Sequence, residues 1–143
     1  MQTMAQLLSA KGSRVWSISQ EATVFEGLQL MAEKNVGALI ITDNNGRPVG
    51  MMSERDYARK IILEGRLSRD TRIHSIMTTD LVSVPLMERV ERAMAIMTEK
   101  RVRHLPVIDQ GRLFGIVSMG DLVKAMIDHQ QFTIERLEAY IST

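Results

Sequence analysis

Ser118 and Asp121 are the residues of this chain whose types and spacing are best suited to ligand chemistry. They lie in the segment Gly115–Asp121 (GIVSMGD), and sixty-five residues earlier the segment Gly50–Asp56 (GMMSERD) has the same order of glycine, two apolar residues, serine, two variable residues and aspartate. Each copy ends an apolar run typical of a strand and begins an amphipathic run typical of a helix. We therefore expect a hydroxyl, a carboxylate and free helix amide groups to meet at each junction.

This Ser-x-x-Asp motif has a structural and a functional interpretation. At a helix start, the serine and the aspartate form a good cap that needs no ligand. The same aspartate could accept hydrogen bonds from both hydroxyls of a ribose, while the serine and the helix amide groups face phosphate. The two interpretations are compatible.

The composition is that of an ordinary soluble globular protein. The 143 residues are 45% hydrophobic and 24% charged, which suffices for one compact core or two small ones. The net charge is only +1, whereas nucleic-acid and membrane-surface binders usually carry a one-sided basic excess. We therefore expect neither nucleic acid nor membrane as a partner.

The absence of cysteine excludes disulfides, thiolate metal sites and cysteine nucleophiles. No apolar run approaches the roughly 18 residues of a membrane helix, and the N-terminal residues lack the basic region of a signal peptide. These features predict a cytoplasmic location. His74, His104 and His129 have no metal-ligand spacing, so no metal site is expected.

Hydrophobic periodicity predicts the elements of the first half of the chain. Thr23 and Glu26 have the spacing of a capping box at a helix start. The predicted elements are a short helix at 4–10, a strand at 14–18, a helix from Thr23, a strand at 38–41, a turn at 44–46, a strand at 48–52 and a helix from Ser53 carrying Tyr57, Ile61 and Ile62. The polar stretch 65–72 is the best candidate for a linker.

The second half is predicted to repeat this order. Its elements are a strand at 81–84, a helix with Val90, Met94 and Met97 on one face, strands at 104–108 and 113–117 around a turn at 109–111, a helix from Met119 to about Gln130, and a final amphipathic piece in which Phe132, Leu137, Tyr140 and Ile141 could share a face.

The two halves align at an offset of 66, which becomes 65 after a one-residue deletion in the turn. This internal repeat predicts a mixed α/β fold with one repeat at 1–65, a second at 66–130 and a helical tail at 131–143. Because each copy is too small to bury its sheet and helices alone, we expect the two to pack together with approximate two-fold symmetry.

The doubled motif, together with the intervening Leu105-Pro106-Val107, resembles a pair of cystathionine-β-synthase (CBS) domains, also called a Bateman module, over roughly residues 3–130. The first copy resembles small stand-alone bacterial members. The resemblance implies two clefts between the repeats, homodimers, and binding of AMP, ADP, ATP, NAD or S-adenosylmethionine. The bound nucleotide would change the shape of the module and the activity of an unknown regulated protein.

The resemblance also implies the site residues. In the second copy, Asp121 would hold the ribose, Arg103, His104 and Ser118 would approach phosphate, and Thr78 would line the adenine pocket; the full predicted set is Thr78, Arg103, His104, Pro106, Ser118, Gly120 and Asp121. The first copy departs from the pattern, because it has Gly37 and Ala38 in place of the basic pair. Its predicted set is Gly37, Ala38, Ser53, Arg55 and Asp56.

The main hypothesis is thus a regulatory, non-enzymatic module that senses an adenine nucleotide. The alternative is a structural interaction and dimerisation module that uses the same fold without a ligand. An enzyme is disfavoured, because the chain lacks a glycine-rich phosphate loop, a cysteine nucleophile and a recognisable histidine–carboxylate pair.

Overall fold

A computed structural model describes residues 2–142 and divides the chain into two compact units. We call Arg14–Leu81 the internal unit. The terminal unit combines the residues up to Ser13 with those from Val82 onward. The N-terminal segment therefore belongs with the second copy of the motif, although it precedes the first copy in sequence. The repeat boundaries at 65 and 130 are divisions of the sequence and stay a prediction.

The internal unit contains a three-stranded mixed sheet. Its elements are β1 (Ser17–Ser19), α2 (Val24–Lys34), β2 (Ala38–Thr42), β3 (Pro48–Ser53), α3 (Glu54–Tyr57) and a short 3₁₀ helix at Ile73–Ser75. Strand β1 pairs in parallel with β2, and β2 pairs antiparallel with β3. The expected capping box at the start of α2 is present, since the side chains of Thr23 and Glu26 accept hydrogen bonds from each other's backbone amides. Alternate residues of β2, Leu39 and Ile41, enter the core of this unit.

The terminal unit is built from α1 (Met4–Lys11), α4 (Val90–Lys100), the antiparallel pair β4 (His104–Asp109) and β5 (Arg112–Ser118), and α5 (Met119–Ser142). Helix α1 contributes Met4, Leu7 and Leu8 to a core that also holds Leu105 and Val107 of β4. Leu105 and Val107 correspond to Leu39 and Ile41 in the repeat alignment. Equivalent strands of the two repeats therefore bury the same face. The mixed fold class is confirmed.

Several predicted elements differ from the observed ones. The strand at 81–84 is reduced to a single parallel bridge between Val84 and Val107. The stretch proposed as a linker is tied to the start of α2, because the amides of Phe25 and Val24 donate to the carbonyls of Ser68 and Thr71. The helix from Met119 does not end near Gln130 but continues to Ser142 as one element.

The helix after Ser53 also differs from its counterpart. One α-helical turn, α3, is followed by a π-helical turn at Ala58–Ile62, a wider form of helix that is rare elsewhere. Of the two isoleucines predicted on this helix, Ile61 is buried and Ile62 is exposed. The π turn lies where Lys60 donates to the carbonyl of Ile76, at 2.8 Å.

The glycine of each motif accommodates a second chain segment. A Cβ atom at Gly115 would lie 2.8 Å from Cδ2 of Leu8 in α1. A Cβ atom at Gly50 would lie 2.9 Å from the carbonyl oxygen of Thr78, whose backbone exchanges two hydrogen bonds with Met51. At Gly50, a larger residue would therefore collide with a backbone atom. At Gly115, it would collide with a side chain.

This difference predicts unequal effects of two identical substitutions. Gly50→Ala should destabilise the protein by about 1–3 kcal/mol, because the opposing carbonyl is fixed by its hydrogen bonds. Gly115→Ala should cost less, since the end of the Leu8 side chain can move. Urea unfolding provides the measurement. Gly120→Ala is the matched control, because its new methyl group would meet nothing closer than Ser118 Oγ at 3.6 Å; equal losses at Gly50 and Gly120 would contradict this account.

Candidate ligand-binding site

The second motif forms a reciprocal cap at the start of α5. The amide of Ser118 donates to Asp121 Oδ2 at 2.8 Å, and the amide of Asp121 donates to Ser118 Oγ at 3.1 Å. This is the geometry of a capping box, with aspartate at the position that glutamate or glutamine usually occupies. The structural interpretation of the motif is therefore correct, and the carboxylate is held in a defined orientation.

A lysine from the N-terminal helix meets the same carboxylate. Lys11 Nζ lies 2.7 Å from Asp121 Oδ2 and also donates to the carbonyl of Ile116, at 2.7 Å. Partial burial raises the pKa of the Asp121 carboxyl, but the Lys11 ammonium and the hydrogen bonds from Ser118 outweigh it, so the pKa is lowered from its ordinary value. Asp121 is thus an anion at neutral pH, oriented and only 25% exposed.

The first motif forms the same cap with more partners. The amide and hydroxyl of Ser53 lie 3.0 and 3.2 Å from Asp56 Oδ2, and the amide of Asp56 donates back to Ser53 Oγ at 3.2 Å. Asp56 Oδ1 accepts a hydrogen bond from the Thr78 hydroxyl at 3.2 Å and lies 3.5 Å from Lys60 Nζ. The side chain of Asp56 is 15% exposed.

The two carboxylates therefore differ in the oxygen that remains for a ligand. Both oxygens of Asp56 have protein partners. In Asp121, the hydrogen bond from the Ser118 amide and the ion pair with Lys11 both fall on Oδ2. Because a carboxylate can accept about four hydrogen bonds, Asp121 retains acceptor capacity on Oδ1. Of the two, Asp121 is better arranged to accept hydroxyl groups from outside the protein.

The helix amides are largely engaged within the protein. In addition to the two capping bonds, the amide of Met119 donates to the carbonyl of Arg103 at 2.9 Å. The amide of Glu54 makes the corresponding bond to Gly37 at 3.1 Å. The expectation that several amides face a phosphate is therefore wrong for α5: the amides of Ser118, Met119 and Asp121 are engaged, which leaves that of Gly120 in the first turn.

The remaining predicted residues of the second copy lie on the same hairpin. His104 is half-buried and stands opposite Ser118 in the β4–β5 register, and Arg103 precedes it on the surface. Pro106 is buried opposite Ile116. Arg103, His104, Pro106, Ser118, Gly120 and Asp121 thus belong to one strand-to-helix junction in the terminal unit.

The predicted residues of the first copy form the equivalent junction. Ala38 stands opposite Ser53 in the register of β2 and β3, next to Gly37. Arg55 is exposed in α3. Thr78, which we assigned to the second copy, contacts Asp56 of the first, because the segment containing it pairs with Met51 of β3. The structure therefore groups Thr78 with Ser53 and Asp56.

Two lysines at these carboxylates were missed by sequence reasoning. Lys60 lies four residues after Asp56, which is the spacing of an ion pair within a helix and could have been noticed. Lys11 is separated from Asp121 by 110 positions, and nothing in its neighbourhood indicates this contact. Only the packing of α1 against the second copy brings the two together.

Comparison with known proteins identifies the family. The sequence profile described as "CBS domain" matches twice, at residues 12–63 and 73–128. The chain belongs to the CBS-domain family. The predicted resemblance to a small tandem pair is thereby confirmed, and both matches include the strands and helix starts that form the two junctions.

Three relatives show how far the similarity extends. The mitochondrial CBS domain-containing protein CBSX3 of Arabidopsis thaliana is 40% identical over 137 residues, which are 93% of this chain and 66% of that protein. YhcV of Bacillus subtilis (strain 168) is 34% identical over 83% of this chain and 84% of its own length. A solved CBS-domain protein from Burkholderia ambifaria MC40-6, named for signal transduction, is 43% identical with a TM-score of 0.86, covering 93% of this chain and 99% of its own.

A tandem CBS pair is a regulatory, ligand-binding module. The names of these three relatives refer to CBS domains and signal transduction and to no catalytic activity. Within the described residues, His, Asp and Glu side chains form no group of three that could hold a metal ion. None of the helices formed by residues 2–142 combines the length and apolar character that a membrane-spanning helix needs.

The Lys11–Asp121 pair predicts a pH-dependent coupling. In a double-mutant cycle with Lys11→Met and Asp121→Asn, the coupling energy at neutral pH should be about 0.5–1 kcal/mol, because both groups are partly exposed and solvent screens the pair. Since the folded pKa of Asp121 lies below the unfolded value of about 3.9, this contribution is complete above that value and is lost as the pH falls through the folded pKa.

Urea unfolding of the four proteins between about pH 7 and pH 3 measures the coupling, a range set by the ordinary aspartate pKa. Lys60→Met with Asp56→Asn is the matched cycle, and its coupling should be smaller because the charged atoms are 3.5 Å apart instead of 2.7 Å. A coupling at Lys11 that does not change with pH would contradict the ion-pair interpretation.

Proposed function

We propose that this protein is a sensor of adenine nucleotides in which Asp121 binds the ribose of AMP, ADP, ATP, NAD or S-adenosylmethionine. The observation that carries the proposal is the state of the Asp121 carboxylate: ionised, partly buried, anchored through Oδ2 and with acceptor capacity on Oδ1. A ribose presents two neighbouring hydroxyls, and charge-assisted hydrogen bonds from such a pair suit a carboxylate of this kind.

The surroundings of Asp121 support a phosphate close to the ribose. Arg103 and His104 stand at the start of β4, beside the Ser118 end of β5. An arginine binds phosphate through a planar pair of donors. The amide of Gly120 and the positive end of the long helix α5 add a favourable field. The junction in the internal unit, with Asp56, Ser53 and Arg55, is proposed as a second and weaker site.

The contact with Lys11 suggests how binding could be transmitted. A ligand that draws the Asp121 carboxylate toward its own hydroxyls competes with the Lys11 ammonium, which also holds the Ile116 carbonyl. Release of Lys11 would loosen the end of α1. The ligand would then shift the position of α1 by no more than its difference in affinity for the two states. A regulated partner would respond to this shift.

The alternative is a ligand-free module for interaction and dimerisation. Its supporting observation is that both carboxylates are already satisfied as helix caps. CBS-domain proteins often form oligomers, and we propose that this chain forms a homodimer under either function. The cytoplasmic location stays a prediction.

A thermal-shift panel with AMP, ADP, ATP, NAD, NADH and S-adenosylmethionine tests the sensor proposal. A ligand at about one hundred times its dissociation constant should add about 2.7 kcal/mol of stability. For a chain of this size, that corresponds to a rise in melting temperature of about 5–10 °C. If none of the compounds shifts the midpoint, the ligand-free alternative is favoured.

Asp121→Asn should abolish the shift, because an amide offers the ribose hydroxyls a weaker, neutral acceptor. Asp128→Asn, the same substitution on an exposed position of the same helix, is the matched control and should bind as the wild type does. Asp56→Asn should reduce the shift only in part. Unchanged binding by Asp121→Asn would move the site elsewhere without refuting nucleotide sensing.

A further inference from the structure

The second part of helix α5 is exposed to solvent along its length. Leu122 and Ala125 of its first turns enter the core of the terminal unit, but every residue from Ile127 to Ile141 is exposed. This part is about 22 Å long at about 1.5 Å per residue. An isolated helix of this length is marginal in water. Packing of its apolar side against another helix would therefore stabilise it.

The exposed apolar residues of α5 follow a heptad repeat. Isoleucine recurs every seven residues, at 127, 134 and 141. A second series with the same spacing consists of Val123, Gln130 and Leu137. Together they form one stripe, which we call the α5 seam: Val123, Ile127, Gln130, Ile134, Leu137 and Ile141. Its apolar members are between 39% and 81% exposed.

The seam is distinct from the face that packs on the core, and it corrects a sequence-based prediction. At about 100° per residue, Phe132 and Ile141 point to opposite sides of the helix. They cannot share a face, as we had expected. Phe132 lies instead beneath the Arg136 guanidinium, 5.6 Å from its ring centre. Two mostly apolar series that each repeat every seven residues on one side of a helix are typical of a coiled-coil contact.

We propose that the α5 seam binds the α5 seam of a second copy of this chain, with the two helices antiparallel. When two copies are aligned around residue 132, Ile127 stands opposite Leu137 of the other copy, and Ile141 stands opposite Val123. The heptad series is thus self-complementary. Gln130, the one polar residue of the seam, stands opposite Ile134 near the centre of the contact.

Charge complementarity selects this orientation. Lys124, Gln131 and Glu138 recur every seven residues along one edge of the seam. In the antiparallel alignment, Lys124 of each copy meets Glu138 of the other, which gives two ion pairs. A parallel alignment would place uncharged Met126, Thr133 and Tyr140 along that edge and form no such pair. Antiparallel helices also bring opposite helix-dipole ends together.

This proposal rests on the homodimer suggested under "Proposed function" and names its surface; it does not depend on nucleotide binding. Analytical ultracentrifugation of the whole chain should show an assembly that Ile134→Asp weakens at least about tenfold in dissociation constant, because a charge would be buried in the seam. Phe132→Asp, at a similarly exposed position on the opposite side of the helix, should leave the assembly unchanged.

The outcomes separate the two levels of the proposal. A wild-type chain that stays monomeric at all concentrations overturns both the homodimer and the seam. An assembly that Ile134→Asp leaves intact overturns the seam alone. Circular dichroism and thermal unfolding should show that both variants keep the folded core, since neither position belongs to it. Nucleotide-induced thermal shifts of Ile134→Asp test sensing separately.

Cysteine cross-linking tests the orientation, because the chain contains no cysteine. We expect Ile127→Cys mixed with size-tagged Leu137→Cys to form a mixed disulfide under mild oxidation, whereas each protein alone forms little. Asp128→Cys, which faces away from the seam, mixed with Leu137→Cys is the control. Strong self-linking of Ile127→Cys, or equal linking in the control, overturns the antiparallel arrangement.

Discussion

The close approach of another chain segment to the motif glycine is the constraint on which both units depend. In the terminal unit, α1 lies against Gly115; in the internal unit, the segment containing Met77 and Thr78 lies against Gly50. Each of these segments lies near the start of one repeat in sequence but packs on the motif of the other repeat. A side chain in place of Gly50 would displace the backbone of Thr78, and with it the hydroxyl that reaches Asp56. At Gly115 it would press on the Leu8 side chain of α1, the helix that carries Lys11 to Asp121.

Much of the fold could be predicted because its determinants are local. Three local features appear in the structure as expected. They are the capping box of Thr23 and Glu26, the alternation of core residues in β2, and the helix cap formed by the repeated motif. The failures concern long-range packing. The strand at 81–84 shrank to one bridge, and the supposed linker was bound to the start of α2. The hydrophobic periodicity of a sequence does not predict hydrogen bonds between segments that are far apart along the chain.

The site was predictable to the same extent. The repeat placed Asp121 and Asp56 at equivalent strand-to-helix junctions, and the registers of His104 with Ser118 and of Ala38 with Ser53 agree with that equivalence. The charge environment was not predictable, because Lys11 reaches Asp121 through the tertiary packing of α1. Thr78 joined Asp56 for the same reason. In both cases, the unexpected residue, Lys11 or Thr78, belongs to the segment that packs against the motif glycine.

The two carboxylates consequently differ in the internal contacts that a ligand would have to break. Asp56 satisfies both oxygens internally, so a ligand must displace either the Thr78 hydroxyl or Lys60 before its own hydroxyls can bind. In Asp121, the Ser118 amide and the Lys11 ammonium meet the same oxygen, and the ion pair that a ligand would weaken is worth only about 0.5–1 kcal/mol when partly exposed. Charge-assisted bonds from a diol are worth about 1.5–3 kcal/mol each and can exceed that cost. Under the proposed function, the duplication thus yields one junction that favours its own fold and one that exchanges an internal contact for a ligand.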